Sequence, residues 1–319
     1  MIPTYNCAKY LKENLQSLLA QAPDPEVMQI EVIDDHSTQD DPATVVKTIG
    51  KGRVTFYQQP KNVGYIQNFE TCLLRAKGKL VHLLHGDDGV RTGFYQKIQA
   101  AFEENPTLGA AFCRSLYIDE ESHWQGLSPL ERRQSGVLEN WLEKIASGQR
   151  VTTPSVVVKR AVYENLGGFD RRFSCAGEDW EMWVRIATSF PVWFEVEPLA
   201  LYRVKRAGSL TEKSAQTGRL VKDMRLATNI ISTYLPEYIQ AEKMQKVLRE
   251  ARCTYARWAL ESSQEMCMQG RYSEVLSHAL EAIKCNPSIG TSYKIANLIL
   301  WQGLVLRAGA LLRSYRTYL

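Results

Sequence analysis

The 319-residue chain lacks several features that would narrow its chemistry quickly. Its seven cysteines (Cys7, Cys72, Cys113, Cys175, Cys253, Cys267, Cys285) form no CxxC pair and show no metal-ligand spacing. An odd, scattered set argues against a disulfide framework and predicts reduced thiols in a cytosolic compartment. The opening "MIPTYN" has neither a basic segment nor an apolar one, so no secretory signal is expected. Uninterrupted apolar runs of spanning length are missing too. The most apolar late stretch, "IANLILWQGLVLRAGALL" (Ile295–Leu312), is broken by Asn297, Gln302 and Arg307. It reads as a buried helix, with an interfacial helix as the alternative. Acidic residues are absent from the end of the chain: none follows Glu281, whereas Lys284, Lys294, Arg307, Arg313 and Arg316 do. From residue 215 onward 14 Lys/Arg face 8 Asp/Glu, against 25 and 27 before it. A solvated basic helix face accounts for that excess; an anionic membrane surface or lipid phosphate is the sharper alternative.

What is present fits a globular protein with a proper core. The apolar fraction is 45% and the charged fraction 23%, with room for one large domain and a smaller one. The first 115 residues alternate in period. "YLKENLQSLLAQ" (Tyr10–Gln21) places Leu11, Leu15, Leu18 and Leu19 on one helical face, and "QIEVIDD" (Gln29–Asp35) is a short apolar run ending in carboxylates. Strands are also expected at Val54–Pro60, Leu80–Leu84 and Gly109–Asp119, with helices at Tyr65–Gly78 and Thr92–Pro106. Residues 120–150 are less regular, with a short helix around "LENWLEKIAS". Thr152–Asp170 is read as strand then helix, Gly177–Phe190 as helix and Pro191–Val204 as a strand pair or one extended segment. Strands alternating with helices of this length predict an α/β fold with a mostly parallel, Rossmann-like sheet flanked by helices. The chain from residue 215 reads as helices only. "GRYSEVLSHALEAIKCNP" (Gly270–Pro287) resembles the second half of a tetratricopeptide unit, with Tyr255–Gln269 as its first helix. The expected division is therefore 1–214 and a helical appendage, 215–319.

Three acidic pairs carry the chemical interest. Asp34–Asp35 and Asp87–Asp88 both fall at carboxyl ends of predicted strands, where ligands gather in such sheets. Adjacent aspartates repel, and a divalent cation is the simplest neutraliser. Turn or capping duty is the plain alternative for Asp34 and Asp35. Glu178–Asp179 opens a predicted helix, where the backbone dipole favours acids, so capping alone would explain it.

Four segments, "IPTYNCAKYLKENLQSLLAQ", "EVIDDHSTQDDP", "NVGYIQNFETCLLRAKGKLVHLLHGDDG" and "GEDWEMWVRIA", in this order and spacing, resemble glycosyltransferase family 2. The resemblance covers residues 1 to about 210. It implies a GT-A type fold and an inverting, nucleotide-sugar-dependent enzyme. By the same resemblance Pro3, Thr4, Tyr5 and Asn6 form the loop beside the nucleotide, and Asp35 contacts the base. Asp87 and Asp88 match the metal-binding aspartate motif, for Mg²⁺ or Mn²⁺ that would neutralise a departing diphosphate. The second acid of Glu178–Asp179, Asp179, takes the general-base role. Gly167, Gly168 and Phe169 match a segment just before the acceptor site. Tyr202 and Arg203 match a late one, where Arg203 would approach the diphosphate. One position departs from the pattern: His85 stands where an acid is usual, and it is read either as a ligand for a softer ion such as Mn²⁺ or as a neutral loop residue. Trp180 and Trp183 are read as lining the acceptor side or as core, and Arg185 as orienting the acidic pair or as a surface ion pair.

The resulting expectation is transfer from a UDP- or dTDP-sugar to a glycan or lipid-linked hydroxyl acceptor in bacterial surface-polysaccharide or lipopolysaccharide synthesis. Nucleic acid is not an expected partner. The location would be cytoplasmic, with peripheral contact at the inner face of the membrane through the basic C-terminal helices. Two rivals stay open: an inactive sugar-nucleotide-binding scaffold, and a nucleotidyltransferase. The latter would show a Gly-rich, basic N-terminal loop, whereas "IPTYNCAKY" contains no glycine.

Overall fold

Apolar stripes and turn residues set the early elements. In order they are β1 (Ile2–Thr4), α1 (Ala8–Leu19), β2 (Glu31–Asp34), α2 (Pro42–Gly50), β3 (Thr55–Gln58), α3 (Tyr65–Arg75), β4 (Leu80–His82), β5 (Gly89–Val90) and α4 (Phe94–Glu104). The computed structural model describes residues 1–204, 206, 208–288 and 290–297. Leu11, Leu15 and Leu18 of α1 are buried in one cluster with Ile2, Val32 and Leu84. Each such leucine contributes about 1.5–3 kcal/mol of burial. The start of α2 is fixed by Asp41, whose carboxylate accepts the Thr44 N–H at 3.0 Å, followed by Pro42, whose missing N–H costs nothing at a helix start.

The chain continues with β6 (Ala110–Ile118), β7 (Trp124–Leu127), β8 (Gly136–Val137), α5 (Trp141–Ala146), β9 (Val156–Lys159), α6 (Arg160–Leu166), α7 (Glu178–Ser189) and β10 (Val192–Arg203). Strands β1, β2 and β3 pair in parallel. The others follow the order β4-β9-β6-β10-β5, with β7 on β6 and β8 on β10. The two sheets meet at β1. Leu84 and Gly86 donate their N–H groups to the Met1 and Pro3 carbonyls at 3.1 and 3.0 Å, which is a parallel register. Only three residues long, β1 is therefore central. Parallel pairing is concentrated at β1–β3, at this junction and between β6 and β10; β4, β5, β7, β8 and β9 pair antiparallel. The fold is mixed α/β, its sheets flanked by helices. Residues 191–204, where a strand pair or a single extended segment was open, form the one strand β10, whose register shifts at Pro198 because proline has no N–H to give the ladder.

The chain separates into two compact units, Met1–Phe173 with Glu178–Ala207, and Ser174–Gly177 with the residues from Gly208 onward. The second contains α8 (Leu210–Gln216), α9 (Arg219–Tyr234), α10 (Ala241–Met268) and α11 (Tyr272–Cys285). Within it, the Asp223 carboxylate of α9 accepts the backbone N–H groups of Ser174 and Cys175 at 2.7 and 2.8 Å. Helices α10 and α11 pack as a hairpin around a three-residue turn, but α10 starts at Ala241, well before the expected Tyr255. No helix among the described residues is long and apolar enough to cross a membrane. Most of the Ile295–Leu312 stretch, with Arg307, Arg313 and Arg316, lies outside the described residues.

One glycine is dictated by the junction. A Cβ on Gly86 would meet Thr4 Oγ1 at 2.7 Å and Cys7 Sγ at 2.9 Å, because the segment after β4 crosses the segment after β1 there. Gly86→Ala is expected to lose about 1–3 kcal/mol by overpacking. The loss would show as a lower urea midpoint at unchanged m.

Candidate active site

The loop His85–Asp88 follows β4 and is held from three sides. Asn14 of α1, fully buried, donates from Nδ2 to the carbonyls of His85 (2.8 Å) and Asp88 (3.0 Å). The Gly86 N–H bonds to Pro3 of β1. From the end of β10, the Arg203 N–H donates to Asp88 Oδ1 at 2.8 Å and its Nε donates to the Asp87 carbonyl at 2.9 Å. Backbone groups that a tight polar loop would otherwise leave unpaired are thus taken up.

The two aspartates are then treated differently. Asp87, partly exposed, pairs through Oδ2 with Arg206 Nε at 2.8 Å. Asp88 is buried, and its Oδ2 has no hydrogen-bond partner among the described residues. Burial raises its pKa well above the carboxylate range, the Asp87 charge raises it further, and Arg203 opposes both. The neighbouring His85 Nδ1 lies 3.7 Å from that oxygen. His85 Nε2 is also buried without a hydrogen-bond partner, and its ring stacks on Phe69 at 5.1 Å between centroids. Burial holds the imidazole below its usual pKa. One donor atom from each of His85, Asp87 and Asp88 falls within 4.8 Å of the others. Leftover lone pairs on one imidazole and one buried carboxylate, with a second carboxylate beside them, fit a divalent cation. A second such group, Asp119, Glu121 and His123, lies largely at the surface, and there Asp119 Oδ1 accepts the N–H groups of Glu121 and His123, as in an ordinary polar turn.

Arg203 reaches the aspartate pair, but its guanidinium is engaged. Besides the Asp87 carbonyl it bonds the Asp119 carbonyl, the Ser122 hydroxyl and Glu13, and it lies over the Tyr10 ring at 4.6 Å. It acts as a clamp under the loop, and Arg206 is the cation that touches the Asp87 carboxylate. Tyr202 is half-buried. Its phenol is raised by burial first, then by the charges of Asp88, Asp179 and Asp87.

On the other side of β1, the loop Pro3–Asn6 is tied to the turn after β2. Asn6, at φ +47°, accepts the N–H groups of Thr38 and Gln39 on its Oδ1, and its own N–H donates to Ser37 Oγ. Thr4 is buried and accepts the Asp35 N–H at 2.8 Å, while Tyr5 is exposed. Asp34, fully buried, holds Ser37 and Gln58. The Asp35 carboxylate accepts the N–H groups of Val63 (2.7 Å) and Gly64 (3.0 Å), just before α3. Those bonds offset the burial that raises its pKa, and each oxygen retains a further lone pair.

Helix α7 begins with Glu178 and Asp179. Asp179 Oδ2 accepts from Gln149 Nε2 at 2.7 Å and Thr153 Oγ1 at 3.3 Å, and Oδ1 from the Trp180 N–H at 2.7 Å. Burial outweighs these bonds and raises its pKa to about 6. Glu178 accepts from the Tyr65 hydroxyl at 3.0 Å, which links it to the residue after Gly64. Trp180 and Trp183 are core residues, and Trp180 Nε1 donates to the Ile145 carbonyl. Arg185 pairs with Glu181 at 2.8 Å and caps the carbonyls of Leu166 and Gly168, so it does not orient the acidic pair. Gly167 and Gly168 end α6 at positive φ, and Phe169 is buried against Phe69 and Trp183.

Residues 1–167 match the profile of Glycosyl transferase family 2. Among characterised and uncharacterised relatives, the protein MT1568 of Mycobacterium tuberculosis, itself uncharacterized, is 26% identical over 249 residues, 72% of this chain and 74% of that one. O-antigen biosynthesis protein RfbC of Myxococcus xanthus is 24% identical over 207 residues, 58% of this chain but 16% of RfbC. Of solved structures, S. aureus TarS in complex with UDP-GlcNAc superposes with a TM-score of 0.61 at 14% identity, covering 89% of this chain and 90% of that one. Mannosyltransferase PcManGT from Pyrobaculum calidifontis, in complex with GDP-Man and Mn²⁺, gives 0.55 at 17% identity, covering 99% and 81%. At these identities the likeness shows the fold, that of GT-A glycosyltransferases.

The clamp is open to a simple check. Lysine at position 203 cannot bond the Asp87 carbonyl, the Asp119 carbonyl, Ser122 and Glu13 together. Arg203→Lys is expected to cost about 1–3 kcal/mol of stability, the penalty for buried acceptors left unpaired. Equilibrium urea unfolding measures it.

Proposed function

The chain belongs to glycosyltransferase family 2, and on that premise we propose an inverting, metal-dependent enzyme that moves a sugar from a UDP- or dTDP-sugar to a hydroxyl of a glycan or lipid-linked acceptor. The observation that carries this reading is the cluster at the end of β4, where one donor atom from each of His85, Asp87 and Asp88 lies within 4.8 Å of the others. Asp179, at the start of α7, is the candidate proton acceptor. TarS bound to UDP-GlcNAc and PcManGT bound to GDP-Man and Mn²⁺ support a nucleotide-sugar donor and a divalent ion, Mg²⁺ or Mn²⁺. RfbC, by its name, supports a surface-polysaccharide pathway. A lipid-linked acceptor would bring the protein to the inner face of the membrane, where the basic helical region from residue 215 adds peripheral contact.

In this reading the base lies in the cleft floored by Pro3–Asn6, with Asp35 accepting the N3–H of a pyrimidine and Tyr5 exposed beside it. Asp88 and Asp87 would hold the cation, which when bound would supply charge neutralisation for the departing diphosphate. Arg206 exchanges Asp87 for phosphate oxygen as the donor enters. Asp179 takes the proton of the acceptor hydroxyl as its oxygen bonds the anomeric carbon and the bond to the diphosphate breaks on the opposite face. One carboxylate and one displacement invert the configuration. A pKa of about 6 suits that role: the carboxylate is mostly ionised at neutral pH yet more basic than an ordinary aspartate.

Asp179→Asn keeps the shape and removes the proton acceptor, so kcat should fall about 10²–10⁴-fold with donor affinity little changed. In the unmodified protein, Asp179 is protonated below its pKa. Turnover should therefore drop as pH falls through about 6 and level off above it. Steady-state transfer or donor hydrolysis with a panel of UDP- and dTDP-sugars reads both. Turnover of Asp179→Asn within a few-fold of the unmodified protein would remove Asp179 from the role, and Glu178 would be next.

A further inference from the structure

We propose that His85 is a direct nitrogen ligand of the divalent cation and that it tilts the site toward Mn²⁺ and away from Mg²⁺. This rests on the metal-dependent reading above and adds a ligand and a selectivity to it. Three observations carry it. One ligand atom from each of His85, Asp87 and Asp88 lies within 4.8 Å of the others. Asp88 is 4% exposed, its Oδ2 has no hydrogen-bond partner among the described residues, and His85 Nδ1 lies 3.7 Å from that oxygen, too far for a hydrogen bond between them. The ring is also held in place: Phe69 stacks on one face, and the His85 carbonyl is fixed by Asn14.

His82, a few residues earlier, spends Nε2 on the Pro154 carbonyl at 2.9 Å. The His85 ring makes no hydrogen bond to the described residues, which leaves Nδ1 open to a cation at Asp88. Mg²⁺ demands hard oxygen ligands in near-ideal octahedral geometry and gives up water reluctantly. An imidazole among the ligands costs Mg²⁺ more than it costs a first-row transition ion. The selectivity follows from one side chain.

The test is pulsed electron paramagnetic resonance of the full chain with sub-stoichiometric MnCl₂, together with Mn²⁺ and Mg²⁺ competition binding. The unmodified protein should show modulation from a coordinated ¹⁴N nucleus. His85→Asp should bind Mn²⁺ without that modulation, and its preference for Mn²⁺ over Mg²⁺ should shrink about tenfold, the scale at which single ligand-shell changes move metal affinity. His123→Ala, in the surface acidic turn, should leave modulation and preference unchanged. Mn²⁺ bound without nitrogen coupling, or coupling that survives His85→Asp, overturns the assignment of His85 and leaves the metal-dependent reading standing. No Mn²⁺ binding at all overturns both. The spectrum of the unmodified protein needs no substitution, so a variant that fails to fold does not shield the proposal.

Discussion

The repulsion between Asp87 and Asp88 is the constraint on which the rest of the site depends. Two carboxylates at a strand end are stable only if their surroundings absorb the charge, and here each is handled by a different device. Arg206 neutralises Asp87 directly, whereas Asp88 is buried and protonation is made easier for it. The end of β10 supplies the Arg203 clamp, the chain beyond it supplies the Arg206 cation, and α1 supplies Asn14. That is why residues far apart in sequence converge on four loop positions. A divalent cation would offset the charge of both aspartates and free Arg206 from Asp87.

The carboxylate of Asp179 follows a different logic. Burial raises it while Gln149, Thr153 and the Trp180 N–H hold it back, and the balance leaves it near neutrality. Asp34 shows what a structural aspartate does in the same protein, both oxygens being taken by Ser37 and Gln58. In Asp35 both oxygens accept a backbone N–H, from Val63 and Gly64, and each keeps a further lone pair. Asp88 differs from both in having one oxygen that no protein hydrogen bond uses.

Much of this was legible in the sequence, and the reasons are physical. Apolar runs and helical periodicity located α1, β2, β3, α3, β4, α4 and β6, because each buries apolar residues. The acidic pairs stood out because like charges side by side are expensive without a partner. Gln149, Thr153, Asn14 and Arg206 were not legible. They act through one or two hydrogen bonds or one ion pair across 26 to more than 100 residues of sequence, and nothing local marks them. Arg203 was legible as important, but its attachment to four partners around the loop is a property of the folded end of β10. The antiparallel share of the second sheet was hidden too, since β5 and β8 are two residues each and carry no periodicity.

The most direct measurement is a crystal structure of the protein soaked with UDP and MnCl₂, with data collected at the manganese absorption edge. The account predicts one anomalous peak at the His85, Asp87 and Asp88 cluster, the uracil beside Asp35, and Asp179 facing the side from which an acceptor would approach. A manganese peak at Asp119 and His123 alone, or a nucleotide bound away from the Pro3–Asn6 loop, would contradict it.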